Sequence, residues 1–372
     1  MFRRKITLTV LATIGLFSGA QAQLTSGITT AVPFLQVAAD ARAAGLGDQG
    51  VATRPDAFSQ QWNASKYAFA KDEFKIGVNV TPYLTKLVND IVLANLAGYK
   101  KLDDRSAVAA SLRYFSLGEI VFTDENAYAY ATEKPNELTL DVSYALKLSD
   151  HYSMAVAARY LRSDLRLNAQ NTVEAAADAS AGNAFGVDIT GYYVSDEKKF
   201  KDFNSVFRGG FAISNIGPKL SYGEGTESFI PTNLRLGGAM DFILDNYNTI
   251  TASLEFSKLL VPSVQEDGSN LDQSPFGAIF TSFGDSPEGF NGELKEFTTS
   301  LGLEYLYNEV LALRLGYFNE HEDLGARKFL AFGAGFKYTS IGIDMSYLFS
   351  TSNVPSPLEG TLRFGLTFGL GN

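Results

Sequence analysis

The feature that most constrains this chain is the alternation of apolar and polar side chains, which recurs in segment after segment from Phe74 to Leu370. Successive side chains of a β-strand point to opposite faces, so alternation of this kind predicts strands with one apolar face. The clearest case is the segment 341–349, in which every second residue is apolar: Ile341, Ile343, Met345, Tyr347 and Phe349. The segments 138–148 and 362–370 repeat the pattern, so the chain is predicted to be all-β from residue 73 onwards.

Fourteen segments carry the alternation, and most are long enough, at about 9–12 residues, to cross a bilayer as tilted strands. They are 73–81, 89–101, 106–116, 138–148, 151–166, 184–195, 206–216, 233–244, 246–258, 296–307, 310–319, 328–339, 341–349 and 362–370. The connections between them are alternately short and long, which is typical of outer-membrane barrels; 82–88 and 196–205 depart from this. The predicted fold is a transmembrane antiparallel β-barrel of about 14 strands, whose closure satisfies the backbone groups in lipid. The competing fold, a soluble β-sandwich, has shorter strands.

Residues 1–22 have the features of a cleavable export signal, and the mature chain is predicted to begin at Gln23. A basic start at Arg3, Arg4 and Lys5 is followed by an apolar core at 6–17 and by the cleavage sequence Ala20-Gln21-Ala22. Export and an even number of strands together predict an integral protein of a Gram-negative outer membrane, surrounded by outer-membrane lipid, with both termini periplasmic.

The segment 23–72 differs from the barrel segments and is predicted to be a partly helical plug that enters the barrel from the periplasmic side. Apolar residues of 34–41 have helical spacing, and 38–44 consists mostly of good helix formers. A second short helix is predicted from Asp56 to Trp62 with Asp56 as its N-cap. The segment also contains the chain's single tryptophan, Trp62, and the charged residues Asp40 and Arg42. We expect Asp40, Arg42 and Trp62 to anchor the plug to the barrel wall.

Composition and motifs argue against several functional classes. The chain has 41 acidic and 31 basic residues, which disfavours nucleic acid as a partner. It has no cysteine and two histidines, His151 and His321. We found none of the nucleophile or metal-binding motifs of enzymes, so we expect no catalytic residues, no metal and no cofactor.

Charged residues at strand positions predicted to face the lumen are expected to form ion pairs that join strands to one another and to the plug. They are Asp141, Asp188, Asp241, Glu255, Glu304 and Asp344, with Arg113, Arg159, Arg235, Arg314 and Arg363 as partners.

The longest connection, 259–296, contains apolar residues where a solvated loop is expected. They are Leu260, Val261, Phe276, Ile279, Phe280, Phe283 and Phe290. An exposed apolar loop is typical of an interaction surface, so we expect these residues to bind a partner or cargo protein. Folding of the loop over the barrel's own mouth is an alternative that stays open, and both can hold together.

Several segments resemble the PorV family, outer-membrane proteins of the type IX secretion system. They are PFLQVAADARAAGLGDQGVAT and DAFSQQWNASKYAF near the start, SLRYFSLGEIVFTDE at 111–125, FTSFGDSPEGF at 280–290, LRLGYFNEHE at 313–322 and GIDMSYLF at 342–349. The resemblance extends over nearly all of the mature chain. It implies a barrel related to that of the fatty-acid transporter FadL, again with fourteen strands.

The resemblance also implies a function that is not enzymatic. Such proteins bind the C-terminal signal domain of secreted cargo at the translocon barrel, called Sov or SprA. They then carry the cargo to the sortase PorU and other proteins of the attachment complex at the cell surface. The alternative function is a FadL-like outer-membrane transporter of hydrophobic small molecules, for which the barrel would need an apolar lumen pocket, a lateral gap and a plug that moves.

Overall fold

The computed structural model describes residues 28–84, 88, 90–124, 126–166, 180–223, 227–263, 272–352 and 359–371. The predicted export signal lies outside these residues, and the division of the chain into 1–22, 23–72 and 73–372 stays a prediction. Fourteen long strands follow one another along the chain. They are β1 (Phe74–Pro82), β2 (Ile91–Lys101), β3 (Ser106–Leu117), β4 (Asn136–Lys147), β5 (Tyr152–Asp164), β6 (Gly182–Val194), β7 (Asn204–Ile216), β8 (Asn233–Ile243), β9 (Asn248–Leu259), β10 (Thr298–Tyr307), β11 (Leu311–Asn319), β12 (Lys328–Tyr338), β13 (Ile341–Ser350) and β14 (Leu362–Leu370).

The strands form one antiparallel sheet that closes on itself. Each strand pairs with its neighbours in sequence, and β1 pairs with β14 from Phe74 opposite Leu370 to Val80 opposite Phe364. The two-residue strand Lys198–Lys199 adds to the start of β7. Within the described residues, no helix is both long enough and apolar enough to cross a membrane. The prediction of a closed all-β barrel of about 14 strands is confirmed.

The two faces of the sheet are those of a membrane barrel. On β14 the large apolar side chains point outwards and are exposed, as Phe364 and Leu366 are, whereas Arg363 points inwards and is buried. A soluble sandwich would bury the apolar face instead. Because the apolar face lies outside and the polar face inside, the barrel exterior matches the hydrocarbon region of a bilayer.

The segment before β1 lies within the barrel and contains short helices. It has a 3₁₀ turn at Pro33–Gln36, helix α1 (Ala41–Gly45), helix α2 (Ser59–Trp62) and a second 3₁₀ turn at Ala64–Phe69. Both predicted helices were too long. Asp40 is the N-cap of α1, because its side chain accepts a hydrogen bond from the Ala43 amide. Asp56 lies three residues before the first residue of α2 and accepts hydrogen bonds from the Phe58 amide and the Ser59 hydroxyl, so it closes a turn rather than capping a helix.

The connections distinguish two ends of the barrel, which we call the loop end and the turn end. The turn end has the connections 102–105, 148–151, 195–203, 244–247, 308–310 and 339–340. The loop end has the longer connections, which include helix α3 (Pro275–Thr281), helix α4 (Phe290–Lys295) and a hairpin of Ile120–Thr123 with Ala129–Glu133.

The described part of the plug crosses the lumen from one end to the other, and its entry from the periplasmic side stays a prediction. At the loop end the Ala31 amide donates to the carbonyl of Phe229 at 2.9 Å, and Ile28 packs in the same cluster of side chains. At the turn end the Glu73 amide donates to the Gly371 carbonyl at 3.2 Å. The described chain therefore begins at the loop end and finishes at the turn end. The position of Gln23 and the side of the membrane on which each terminus lies stay predictions.

Candidate functional site

The strongest tie between plug and wall is made by Arg42. Its Nε donates to Glu304 Oε2 at 3.2 Å and its Nη2 donates to Glu304 Oε1 at 3.1 Å. Its Nη1 donates to Asp56 Oδ2 at 2.9 Å, within the plug. Glu304 also accepts from Arg314 Nε at 2.7 Å, and Arg314 Nη1 donates to Asp344 Oδ1 at 2.6 Å. Arg42 therefore joins the plug to Glu304 of β10, and through Glu304 to Arg314 of β11 and Asp344 of β13.

Asp40 and Trp62 are brought together inside the plug. The Trp62 Nε1–H donates to Asp40 Oδ2 at 2.7 Å, while Asp40 Oδ1 accepts from the Ala43 amide at 2.8 Å. Burial, followed by the neighbouring Asp56 carboxylate, raises the pKa of Asp40 to about 6. The wall contacts Trp62 through Arg235, whose guanidinium lies 4.8 Å from the indole centre. The anchoring role expected for these three residues stays a prediction.

Further plug-to-wall bonds involve backbone groups that sequence reasoning did not identify. Glu255 Oε2 on β9 accepts from the amides of Gly50 and Val51, each at 2.8 Å. Arg113 Nη2 on β3 donates to the carbonyls of Phe34 and Val37. Backbone groups are the same in every residue, so the sequence cannot show which of them accept or donate these bonds. It predicts only that the charged side chains of Glu255 and Arg113 face the lumen.

Two charged plug residues were also missed. Arg54 Nη2 donates to Asp241 Oδ2 at 2.9 Å, and Arg208 on β7 pairs with the same carboxylate. Lys66 is fully buried, and its Nζ donates to the Gly50 carbonyl at 2.8 Å and to Thr53 Oγ1 at 3.0 Å. Burial lowers the pKa of Lys66 to about 8. The turn residues Arg54-Pro55-Asp56 were the only available signal for Arg54.

Close backbone contacts show how tightly the plug fits the wall. A Cβ atom on Gly316 of β11 would lie 2.0 Å from the Gly47 nitrogen, and one on Gly210 of β7 would lie 2.5 Å from the Val51 carbonyl oxygen. Only glycine permits this approach. The lumen at this level is occupied by the plug.

Cavities remain on either side of the plug. The loop-end cavity has a volume of about 460 Å³ and is lined by apolar side chains, among them Phe34, Phe115 and Phe318, together with charged ones such as Arg235 and Arg327. The turn-end cavity, of about 1290 Å³, is lined by Arg42, Arg54 and many other charged and aromatic side chains.

The longest loop-end connection presents an apolar surface to solvent. Phe276 and Phe280 on α3 are 68% and 78% exposed, and Phe290 at the start of α4 is 77% exposed. We call Phe276, Phe280, Phe283, Phe290 and Leu294 the aromatic surface; all five are exposed, and Leu294 was missed from the sequence. Ile279 is partly buried.

Leu260 and Val261 were expected in the same surface, but each is only 2% exposed. The Leu260 amide donates to the Thr232 carbonyl at 2.8 Å, and Val261 packs with Phe229, Ala278 and Ile28. These two residues directly follow β9 and therefore lie beneath the loop. Their contacts attach the connection to the neighbouring loop that contains Phe229 and Thr232, and they form no part of its exposed face.

A buried lysine fixes the base of this connection. Lys258 on β9 is inaccessible to solvent, and its Nζ donates to Glu293 Oε2 at 3.0 Å and to Glu296. Carboxylate oxygens of Asp285, Glu293 and Glu296 lie within 4.8 Å of one another, a spacing that could hold a metal ion. The lysine ammonium already supplies a cation to two of these three carboxylates. We therefore interpret the cluster as a structural link between α4 and the barrel.

Comparison with known proteins gives one family and one fold. The family model for type IX secretion system protein PorV matches residues 20–266. No curated protein matches the sequence.

Solved structures resemble the chain in fold. The toluene transporter TodX of P. putida has 12% identity and a TM-score of 0.53 over 91% of this chain and 100% of that chain. The toluene transporter TbuX of Ralstonia pickettii has 12% identity and a TM-score of 0.51 over 90% and 99%. A FadL homologue of Pseudomonas aeruginosa has 10% identity and a TM-score of 0.46 over 90% and 99%. At such identity the likeness concerns the fold alone.

Proposed function

The chain belongs to the PorV family of the type IX secretion system, and we propose that it is the component of that system that receives secreted cargo in the outer membrane. It binds the C-terminal signal domain of the cargo at the translocon barrel Sov or SprA. It then delivers the cargo to the sortase PorU and the other attachment proteins. The protein itself catalyses no reaction in this scheme.

The aromatic surface is the observation that supports this proposal. Phe276, Phe280 and Phe290 stand in solvent on short helices, although each could bury a large apolar area. Aromatic side chains on a rigid support are common at the centres of protein interfaces. The Lys258 link provides that support. In the proposed function, cargo or translocon covers this surface, and Leu260 and Val261 stabilise it from below.

Substitution of the aromatic surface tests the proposal. A variant with Phe276→Ser, Phe280→Ser and Phe290→Ser is expressed in place of the native protein, and its partners are recovered in mild detergent and quantified by mass spectrometry. Loss of the translocon barrel or of cargo supports the proposal. A matched control carries Tyr247→Ser and Tyr307→Ser, which are exposed at the turn end. Deletion of residues 273–290 extends the test. Unchanged recovery of translocon and cargo with both loop variants would refute this role of the surface.

The loop-end cavity favours the second candidate function, transport of a hydrophobic small molecule. Its apolar lining includes Phe34 and Phe318, and its volume of about 460 Å³ is within the range of small-molecule sites. A cargo receptor that transports nothing could have the same cavity. Transport therefore requires that mass spectrometry finds one defined small molecule bound to the protein, and that cellular uptake of this molecule depends on the cavity. Phe318→Asp would abolish both in a transporter and leave cargo recovery unchanged.

A further inference from the structure

The connection between β3 and β4 forms a hairpin that projects beyond the rim of the barrel. Ile120–Thr123 pairs with Ala129–Glu133, from Ile120 opposite Glu133 to Thr123 opposite Ala129. It continues the β3–β4 ladder, which ends where the Leu117 amide donates to the Pro135 carbonyl at 3.1 Å. The flanking strands stop at that level, because β2 begins opposite Leu117 and β5 ends opposite Asn136.

Both long edges of this hairpin therefore stand free of the barrel sheet. In the part of the chain that the structure describes, the hairpin is a sheet of two strands with no third member. A two-stranded hairpin is marginally stable in water, and open strand edges are ready to pair with another chain. Natural edges are usually blunted by lysine, proline or a cover, and here Ile120–Thr123 and Ala129–Glu133 contain neither lysine nor proline.

The side chains of the hairpin are unusually apolar for a projecting loop. Val121 and Tyr130 are 49% and 46% exposed, and Tyr128 in the turn is 72% exposed. Ile120 is exposed as well. These apolar side chains are exposed to solvent in the isolated protein. An added strand would cover them and would complete the backbone hydrogen bonds of one edge.

The charges around the hairpin indicate which charge a partner is expected to carry. Asp90 accepts from the Glu119 amide at 2.7 Å, and Asp124 accepts from the Tyr128 amide at 2.9 Å, so both carboxylates are held at the hairpin. Among the described residues near the hairpin, Lys134 pairs with Glu119 at 3.0 Å, and Arg162 and Arg166 share Asp164, with Arg166 also attracted to Glu133. Described carboxylates still outnumber described cations here once Asp90 and Asp124 are included, so the charge is negative, which disfavours anionic lipid headgroups and a second copy of the same surface.

We propose that this hairpin is a docking edge for an extended segment of a partner protein that carries lysine or arginine beside alternating apolar residues. The segment adds as a third strand to Ile120–Thr123 or to Ala129–Glu133. The surface lies on a different connection from the aromatic surface, and the inference holds whether or not that surface binds cargo.

Site-specific photocrosslinking in the native membrane tests the inference. A photoreactive residue replaces Ile120, Val121, Phe122, Thr132 or Glu133 one at a time in the full chain, and adducts are mapped by mass spectrometry. Strand addition predicts a register, in which moving the probe by two positions moves the adduct by two positions along a basic, extended segment. Adducts to lipid alone, adducts to a second copy, adducts without register, or no adducts overturn the proposal. A probe at Phe276 reports separately on the proposed function.

Two substitution pairs provide controls. Thr132→Pro removes a backbone donor and disturbs the edge, so adduct yield from Val121 should fall by roughly tenfold relative to Thr132→Ala. Glu133→Lys should lower the yield with Glu133→Gln as its control, and the difference should shrink at high salt. Barrel folding is checked for each variant by its shifted gel migration without heating. Val121→Pro against Val121→Ala, probed from Thr132, tests the other edge in the same way, and equal yields within both proline–alanine pairs of folded variants would contradict strand addition.

Discussion

Arg42 in the plug and Glu304 in the barrel wall form a two-point hydrogen-bonded ion pair, at 3.2 Å and 3.1 Å, across 262 residues of sequence. Both side chains are largely withdrawn from solvent. Removal of one partner from a buried pair costs about 3–5 kcal/mol where the other charge is left unpaired, and less here because Glu304 also pairs with Arg314. The pair therefore couples the seating of the plug to the closed barrel.

We expect Arg42→Ala to loosen the plug and raise the permeability of the outer membrane. Glu304 keeps Arg314 as a partner, so the barrel itself should still form. Susceptibility of cells to a large antibiotic that normally does not cross the outer membrane measures the effect. Lys71→Ala is the matched control, because Lys71 pairs with Glu309 at 2.9 Å in an exposed position at the turn end. Equal susceptibility of wild type and Arg42→Ala would count against a sealing role for the plug.

The contrast between this pair and the strands explains what the sequence can predict. Strand positions follow from a local period of two, so the segment 89–101, for example, corresponds to β2 at Ile91–Lys101. The same period placed Glu304 and Arg314 on the inward face. It could not choose Arg42 as their partner, because a contact across hundreds of residues depends on the path of the plug through the lumen. The exposed hairpin of residues 120–133 was likewise not identified, because its short strands lack the length of a membrane segment.

Loop residues show a second limit. Leu260 and Phe276 are both apolar residues in one connection, yet the first is buried and the second is exposed. The difference arises from the neighbouring connection, since the Leu260 amide bonds to Thr232. Composition of a loop indicates that apolar residues are present, but their burial depends on contacts with other loops.

The pKa of Asp40 predicts a pH response that Trp62 itself reports. The pKa of about 6 lies above the ordinary value of an aspartate, so the seated plug favours the neutral form of Asp40. This contribution to stability is therefore present at low pH and is lost as pH rises through about 6. Trp62 is the only tryptophan and its Nε1–H donates to Asp40, so its fluorescence should titrate with a midpoint near that pH.

Asp40→Asn isolates the carboxyl group responsible for this response. Asparagine has no proton to gain, so the transition in fluorescence should disappear, although it keeps only one of the two oxygen acceptors that Asp40 offers to Trp62 Nε1–H and the Ala43 amide. Two other buried groups of the cluster titrate elsewhere: against the effect of burial, the charges of Lys66 and Arg42 hold the pKa of Asp56 below its ordinary value, and burial lowers the pKa of Lys66 to about 8. A transition near pH 6 that persists in Asp40→Asn would contradict the prediction.

Close packing at Gly316 predicts that one methyl group unseats the plug. A Cβ there would approach the Gly47 nitrogen to 2.0 Å, so Gly316→Ala must displace the backbone of the plug. Overpacking costs about 1–3 kcal/mol, and the melting temperature of the detergent-solubilised protein should fall accordingly. Gly209→Ala is the control, because its Cβ would meet Phe207 at an ordinary 3.6 Å on the outward face of β7. Similar melting temperatures for the two variants would show that the plug backbone moves aside without loss of stability, which contradicts the prediction.

Lys258 lies outside the aromatic surface, but we expect its ion pairs to hold that surface against the barrel. Lys258→Met removes the ammonium between Glu293 and Glu296 and leaves two carboxylates buried beside Asp285. Repulsion among them should release α3 and α4 from the barrel, so limited proteolysis within 272–297 should accelerate by at least about tenfold. Lys295→Met is the matched control, because its partners Glu288 and Asp323 are solvent-accessible. If Lys258→Met resists proteolysis as the wild type does, the Lys258 link is not needed to hold the connection, and contacts such as those of Leu260 and Val261 suffice.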